Sequence, residues 1–302
     1  MAVEVNFNCE ELMIFRPYRS VLYIPGGRAS ALQKAREISV DAIIFDLEDA
    51  VAVTEKSSAR ATLLEHLRDG GYGARAQIVR INDIATEWGI DDLAAFANIK
   101  PEALLLPKVN SAADILALSD LMDAYDGYKE TMIWAMIETP RGIINAAEIA
   151  DTARMGGLIV GTNDLGKELN SRFDPLRTPL LMALNTCVLA AKAAGIVAID
   201  GVYNAFKDDE GLRREASQGR DMGFDGKTLI HPAQVALANS IFGPSPDEVD
   251  LAKRQISAFV EATKQGLGVA VVDGKIVENL HVETAYATLA KMESISVLDV
   301  TS

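Results

Sequence analysis

Eight short apolar runs in this chain end in residues able to carry charge, bind a metal or move a proton. Arg28 follows "SVLYIPGG", Asp46, Glu48 and Asp49 close "AIIFDLED", Arg80 and Asn82 end "AQIVRIN", and Lys108 ends "ALLLPK". Glu138 ends "MIWAMIE", Asn163 and Asp164 end "GLIVGTND", Asp200 ends "GIVAID" and His231 ends "GKTLIH". No serine or cysteine stands in a nucleophile constellation, so the chemistry on offer belongs to carboxylates and a few bases. Acids as close as Asp46, Glu48 and Asp49 repel one another, and burying them is costly without a cation nearby. A hard divalent ion held by one or two carboxylates, waters and substrate oxygens meets that need, and Mg²⁺ is the usual choice. On this reading the acids of "DLED" face a metal–water cluster.

Something must bring these run ends together. The runs, at 20–26, 42–48, 76–82, 103–109, 132–138, 157–164, 195–203 and 226–232, are continuous rather than alternating. That is the pattern of parallel strands covered on both faces. Between them, segments such as "ASALQKAREI", "AADILALSDLMDAY" and "PLLMALNTCVLAAKAA" have helical periodicity. Eight strand–helix units predict an α/β fold, a (β/α)8 TIM barrel, whose chemistry sits at the C-terminal ends of its strands. A doubly wound open sheet is the runner-up, but neither a GxGxxG nor a Walker sequence is present. Beyond the eighth unit come a helix, a "VAVVDGKIV" hairpin with an Asp-Gly turn, and another helix, read as a C-terminal lid. The expected division is an N-terminal extension at 1–18, a barrel at 19–244 and a lid region at 245–302.

Composition narrows the partners. The 302 residues are 49% hydrophobic and 24% charged, with a net charge of −14. Such a balance argues against nucleic acid and against an anionic membrane surface. No apolar run reaches the ~20 residues of a membrane span, and the first residues show no secretory h-region. Cys9 and Cys187, far apart, suit a reducing compartment, so a cytoplasmic protein is expected. An anionic small molecule requires a local basic patch or a metal.

Taken in order, "RSVLYIPGGR", "DAIIFDLEDAV", "VRIN", "LLPKV", "IETPRGIINAAEIA", "GTNDL", "DGVY" and "GKTLIHPAQV" resemble the citrate lyase β-subunit and malyl-CoA lyase family of the HpcH/HpaI aldolase superfamily. The resemblance runs from about Arg19 to Phe242 and on through the lid. It implies that Glu138 and Asp164 ligate Mg²⁺; two carboxylates on neighbouring strands suit this, although both also precede helices as an N-cap would. It implies that Glu48 and Asp49 hold metal-bound water, with solvated loop charge as the plain alternative, and leaves Asp46 free to pair with a strand arginine. Arg80 would bind a carboxylate or stabilise a thioester enolate, unless it is a structural partner of Asp46 or Glu48. Arg19, Arg28 and Lys34 match the positions that hold the phosphates and adenine of CoA. Gly161, Thr162 and Asn163 offer backbone N–H groups to a substrate carboxylate. Lys108 reads equally well as the partner of a neighbouring acid, and His231 as a structural residue.

Lyases of this family carry an Asp shortly after the "DGK" turn, which reaches a neighbouring subunit's site as acid–base group. Glu278 stands there in this chain, one methylene longer. The implied assembly is a homotrimer or homohexamer. The implied activity is Mg²⁺-dependent cleavage, or Claisen-type formation, of malyl-, citramalyl- or citryl-CoA, with a 2-oxo acid and acetyl-CoA as products. Three alternatives remain open. They are thioester hydrolysis as in a malyl-CoA thioesterase or a malate-synthase-like enzyme, a CoA-independent class II aldolase, and a citrate lyase β-chain working on an acyl-carrier-protein thioester.

Overall fold

The computed structural model describes residues 16–301; the first part of the expected N-terminal extension, Cys9 included, lies outside the described residues. One compact unit spans Tyr18–Phe242. Its strands are β1 (Ser20–Pro25), β2 (Ala42–Asp46), β3 (Ala76–Arg80), β4 (Ala103–Leu106), β5 (Met132–Ile137), β6 (Met155–Val160), β7 (Val197–Asp200) and β8 (Gly226–Leu229). They pair in parallel and in sequence order, and β8 closes back on β1 as a barrel. The helices around it are α1 (Ala29–Ala35), α2 (Lys56–Asp69), α3 (Glu87–Phe96), α4 (Ala112–Met122), α5 (Pro140–Ile144), α6 (Ala146–Ala150), α7 (Thr162–Glu168), α8 (Leu181–Ala194), α9 (Asp209–Met222) and α10 (Val235–Phe242).

The period of two along each strand divides the apolar residues between two cores. Val21, Ile44, Ile78, Leu105, Trp134 and Ile159 fill the barrel interior. Leu22, Phe45, Val79, Leu104, Ile137 and Leu158 pack outward under the helices. Both faces are buried, which is why the runs are continuous. The inward column continues upward on the same alternation. Ile44 is followed by Asp46, Ile78 by Arg80, and Trp134 by Met136 and then Glu138, so the top layer of the barrel core is the floor of the site. Trp134 fits inside because β6 offers glycine opposite it: a Cβ on Gly157 would lie 2.9 Å from the indole ring.

A second layer of order lies between β7, β8 and α9. The ammonium of Lys227, 0% exposed, donates to Asp200 Oδ2 at 3.0 Å, to Glu215 Oε1 at 2.7 Å and to the Gly201 carbonyl at 2.6 Å. Arg177 donates to Asp200 Oδ1 at 2.7 Å. Burial alone would raise the Asp200 pKa, but Lys227 and Arg177 outweigh it and hold the carboxyl below its usual value. This corrects one expectation. Asp200, counted among the acids of the barrel mouth, is locked under α9 instead.

The second unit runs from Gly243 to Thr301. It holds α11 (Pro246–Lys264), the antiparallel pair β9 (Ala270–Val272) and β10 (Lys275–Val277), and α12 (Asn279–Thr301). Ser245 and Glu248 form a capping box at the start of α11, and Phe259, Val272, Val277 and Val282 make a small core. No helix among the described residues is long and apolar enough to cross a membrane.

Replacing Lys227 by Met keeps an unbranched chain only one atom shorter and removes its charge, leaving Asp200 and Glu215 short of a partner. Breaking a buried ionic network in this way costs ~3–5 kcal/mol. The urea midpoint of Lys227→Met is therefore expected well below that of the unaltered protein, read by circular dichroism.

Candidate active site

The C-terminal ends of the strands enclose a cavity of about 390 Å³ whose walls include Tyr23, Asp49, Arg80, Met136, Glu138 and Asp164. Its charges fall into two groups, one after β2 and β3, the other after β5 and β6.

In the first group Arg80 is central. Its Nε donates to Asp46 Oδ1 at 2.7 Å and its Nη2 to Asp46 Oδ2 at 2.5 Å, the two-pronged geometry a guanidinium makes with a carboxylate. Nη1 lies 3.1 Å from Glu48 Oε2 and 3.7 Å from Asp49 Oδ2. Burial opposes the charge of Arg80, but Asp46 more than offsets it, and the guanidinium is held above its already high pKa. Backbone N–H groups of Glu48 and Ala50 close onto Asp46. Lys56, at the start of α2, donates to the carbonyls of Leu47 and Glu48 at 2.8 and 2.7 Å, and burial lowers its pKa. Asn82 reaches the Leu47 carbonyl at 3.0 Å. The acids of "DLED", expected to face a metal–water cluster, have cationic partners within the protein as well. Asp46 is neutralised by Arg80, and Glu48 bridges Arg80 and Lys108, whose Nζ is 2.5 Å from Glu48 Oε1. Of the three acids of "DLED", Asp46 and Asp49 line the cavity, and only Asp49 is also largely exposed.

The second group is Glu138 and Asp164. Neither is a helix cap: Thr139 caps α5 by accepting from Gly142, and Gly161 occupies the N-cap position of α7. Glu138 Oε1 accepts the Lys108 backbone N–H at 2.8 Å. That donor is aimed by an uncommon backbone, since Lys108 sits at φ 53° in the left-handed region. Gly161 leaves the space on the other side, where a Cβ would lie 2.6 Å from Glu138 Oε2. Burial pushes the Glu138 pKa up to about 7; the Lys108 N–H and Arg80 oppose the shift and Asp164 adds to it. Among the described residues no third His, Cys, Asp or Glu joins to make a closed cage. A buried Glu138 with raised proton affinity, a half-buried Asp164 beside it and open space around both suit a hard cation that completes its shell with water and ligand oxygens.

The remaining sequence expectations fare unevenly. Arg19 stands before β1, at the opposite end of the barrel from the cavity, buried and paired to Asp41 through Nε at 2.9 Å and Nη2 at 2.8 Å. Its guanidinium is engaged in a structural pair, and it is not part of a CoA site. Arg28, at the N-cap position of α1, and Lys34, in its last turn, are both exposed. Thr162 and Asn163 line the cavity, and Asn163 exchanges amide hydrogen bonds with Asn204. The N–H of Gly161 is already donated to the Ile137 carbonyl at 3.0 Å, so this glycine contributes space rather than a donor. His231 Nδ1 accepts from the Ala233 N–H and its ring stacks on Phe206. In the C-terminal unit Glu278 is exposed just before α12, its N–H donated to His281 Nδ1, while Asp273 is paired to Arg254. Two contributors escaped the sequence reading. Tyr23 sits in an apolar run and reads as core, and Lys56 reads as a surface charge.

Two measurements probe the carboxylate pair. A cation must displace the proton of Glu138, so Mg²⁺ affinity in calorimetry is expected to rise with pH, by up to about tenfold per unit, and to level off above about 7. The same group binds its proton more tightly folded than unfolded, so without metal its contribution to stability falls as pH rises from 4.5 to about 7. Melting with and without Mg²⁺ should therefore diverge more at pH 8 than at pH 5. Gly161→Ala should displace the Glu138 carboxylate and weaken Mg²⁺ by at least about tenfold, as loss of a ligand's support does.

Comparison with known proteins agrees with this geometry. Residues 19–232 match the family model HpcH/HpaI aldolase/citrate lyase. A (3S)-malyl-CoA thioesterase of Cereibacter sphaeroides is 58% identical over 280 residues, 93% of this chain and 96% of the relative. The citrate lyase subunit beta of Escherichia coli K12 is 35% identical over 284 residues, 92% of this chain and 94% of that one. Among solved structures, protein CitE from Mycobacterium tuberculosis in complex with magnesium, acetoacetate and coenzyme A superposes with a TM-score of 0.72 at 28% identity, over 92% of this chain and 98% of that one. An eight-stranded barrel with paired carboxylates at its mouth and this likeness over almost its whole length belongs to the HpcH/HpaI aldolase/citrate lyase family.

Proposed function

We propose that this protein is a Mg²⁺-dependent enzyme acting on the CoA thioester of a small hydroxy acid, and that it hydrolyses (3S)-malyl-CoA to malate and free CoA. The observation that carries this reading is the 58% identity, over 93% of the chain, to (3S)-malyl-CoA thioesterases, joined to a cavity holding Glu138, Asp164 and Arg80. Glu138 and Asp164 are the residues that would hold the cation, which would supply Lewis-acid polarisation of substrate oxygens at the malyl end. Arg80, itself immobilised by Asp46 and Glu48, places a permanent positive charge beside the acyl group. Asp49 lines the cavity and stays open to solvent, where it can take a proton from attacking water. Arg28 and Lys34 are the exposed cations beside β1 for the phosphates of CoA. Glu278 would enter from a neighbouring subunit of a trimer or hexamer.

Carbon–carbon cleavage is the second reading, supported by the 35% identity to citrate lyase β-subunits. The two differ in product from the same substrate. With malyl-CoA and Mg²⁺, hydrolysis gives free thiol and malate in equal amounts, whereas cleavage gives acetyl-CoA and glyoxylate. Free thiol is the expected result; acetyl-CoA accumulating without it would replace hydrolysis by the lyase reaction. Glu138→Gln should lower either rate by more than about a hundredfold, since even outer partners of a metal ligand are worth 10–100-fold. Full turnover in excess EDTA would contradict the metal assignment.

A further inference from the structure

Tyr23 is a residue of the cavity whose polar atom has no stated use. It points into the barrel from β1, packed against the inner core, and lines the cavity. Its hydroxyl makes no hydrogen bond among the described residues. Nor is it sealed, as the partnerless Arg36 Nε, His66 Nδ1 and Asn239 Oδ1 are, so it opens onto the cavity. Its ring, by contrast, is well held. The Arg80 guanidinium lies over it, 5.1 Å from the centroid, and Arg80 is clamped by Asp46. A fixed donor with nothing to donate to, at the floor of a ligand cavity, is arranged for a ligand.

The position of β1 indicates which part of the ligand. In a ring of eight strands β1 lies across from β5, which leads into Glu138, and β3 with Arg80 lies between them. Under the functional reading above, the hydroxy-carboxylate end is anchored at Glu138 and Asp164. The nucleotide leaves past Arg28, the N-cap residue of α1, which directly follows β1. The thioester joining these ends must then cross the barrel mouth above Tyr23. We propose that Tyr23 is a catalytic residue whose phenolic hydroxyl donates a hydrogen bond to the thioester carbonyl oxygen. Burial raises the pKa of the phenol, with Arg80 opposing and Asp46 and Glu138 adding to the shift, which suits a donor rather than a base. In hydrolysis, water oxygen bonds to the thioester carbon and the π pair moves onto the carbonyl oxygen, where Tyr23 meets the growing charge. The pair then returns, the C–S bond breaks, one proton of the water ends on sulfur and the other is released as the acid ionises. In carbon–carbon cleavage the same oxygen becomes the enolate oxygen, so the assignment does not depend on which reaction the family site performs.

Tyr23→Phe keeps the ring under Arg80 and deletes one oxygen. Removing a single oxyanion donor costs ~10²–10³-fold in kcat. Tyr23→Phe is therefore expected to lose about a hundredfold in kcat on malyl-CoA, with KM, Mg²⁺ affinity and melting temperature unchanged. An unchanged kcat, or a parallel loss of Mg²⁺ affinity, would overturn the assignment. A readout free of turnover is the infrared carbonyl band of acetyl-CoA carrying ¹³C at its carbonyl. That band should shift to lower frequency on binding the unaltered protein and return on binding Tyr23→Phe. Equal bands in both proteins overturn the role of Tyr23, whatever the reaction is. If the unaltered protein turns over no malyl-CoA yet shifts the band through Tyr23, the functional reading fails and the hydrogen bond stands.

Discussion

The site depends on one buried cation. Arg80 rises from the interior of the barrel, where its neighbours along β3 are apolar, and brings a permanent charge to a place with little water. Such a charge is tolerable only if paired. Asp46 takes it two-pronged, Glu48 approaches from the side and Asp49 from the mouth. The acids that looked self-repelling in isolation are thus the condition for placing an arginine at the floor of the cavity. Once fixed, Arg80 fixes others: it lies over Tyr23 and touches Met136 through Nη1.

The second requirement is a pair of carboxylates that form no ion pair among the described residues. Glu138 is almost wholly buried, and the Lys108 N–H satisfies only one of its oxygens. The electrostatic cost of such a pair is one that a cation would relieve, the reverse of the Arg80 site, which is complete by itself. The two groups stand apart, one on β2–β3 and the other on β5–β6, and line one cavity at the barrel mouth. The relatives solved with magnesium, with oxaloacetate or with coenzyme A belong to the same architecture.

Much of this was written in the sequence. Continuous apolar runs at even spacing gave eight parallel strands, because a strand buried on both faces has no polar side to show. The polar run ends located the mouth, since chemistry in such barrels collects where the strands finish. What could not be read was which charge answers which. Asp46 and Glu138 both end strands, yet one is paired to an arginine and the other is left with a neighbouring acid, a difference set by the register of adjacent strands. Arg19 was misplaced because it adjoins a motif in sequence while standing at the other end of β1. Asp200 was misplaced because the period of two turned it outward to Lys227. The hydroxyl of Tyr23 was invisible among apolar residues, where a tyrosine passes for packing.

Lys108 ties the two halves of the mouth together. Its main chain grips Glu138 while its side chain grips Glu48, and Glu48 grips Arg80. Displacing any one of these groups would disturb its neighbours along the line, which joins the carboxylate pair to the guanidinium. A descendant of this enzyme that retuned its grip on one end of a substrate would therefore find the other end retuned as well, which favours changing substrates through the outer walls of the cavity and leaving this inner chain of contacts alone.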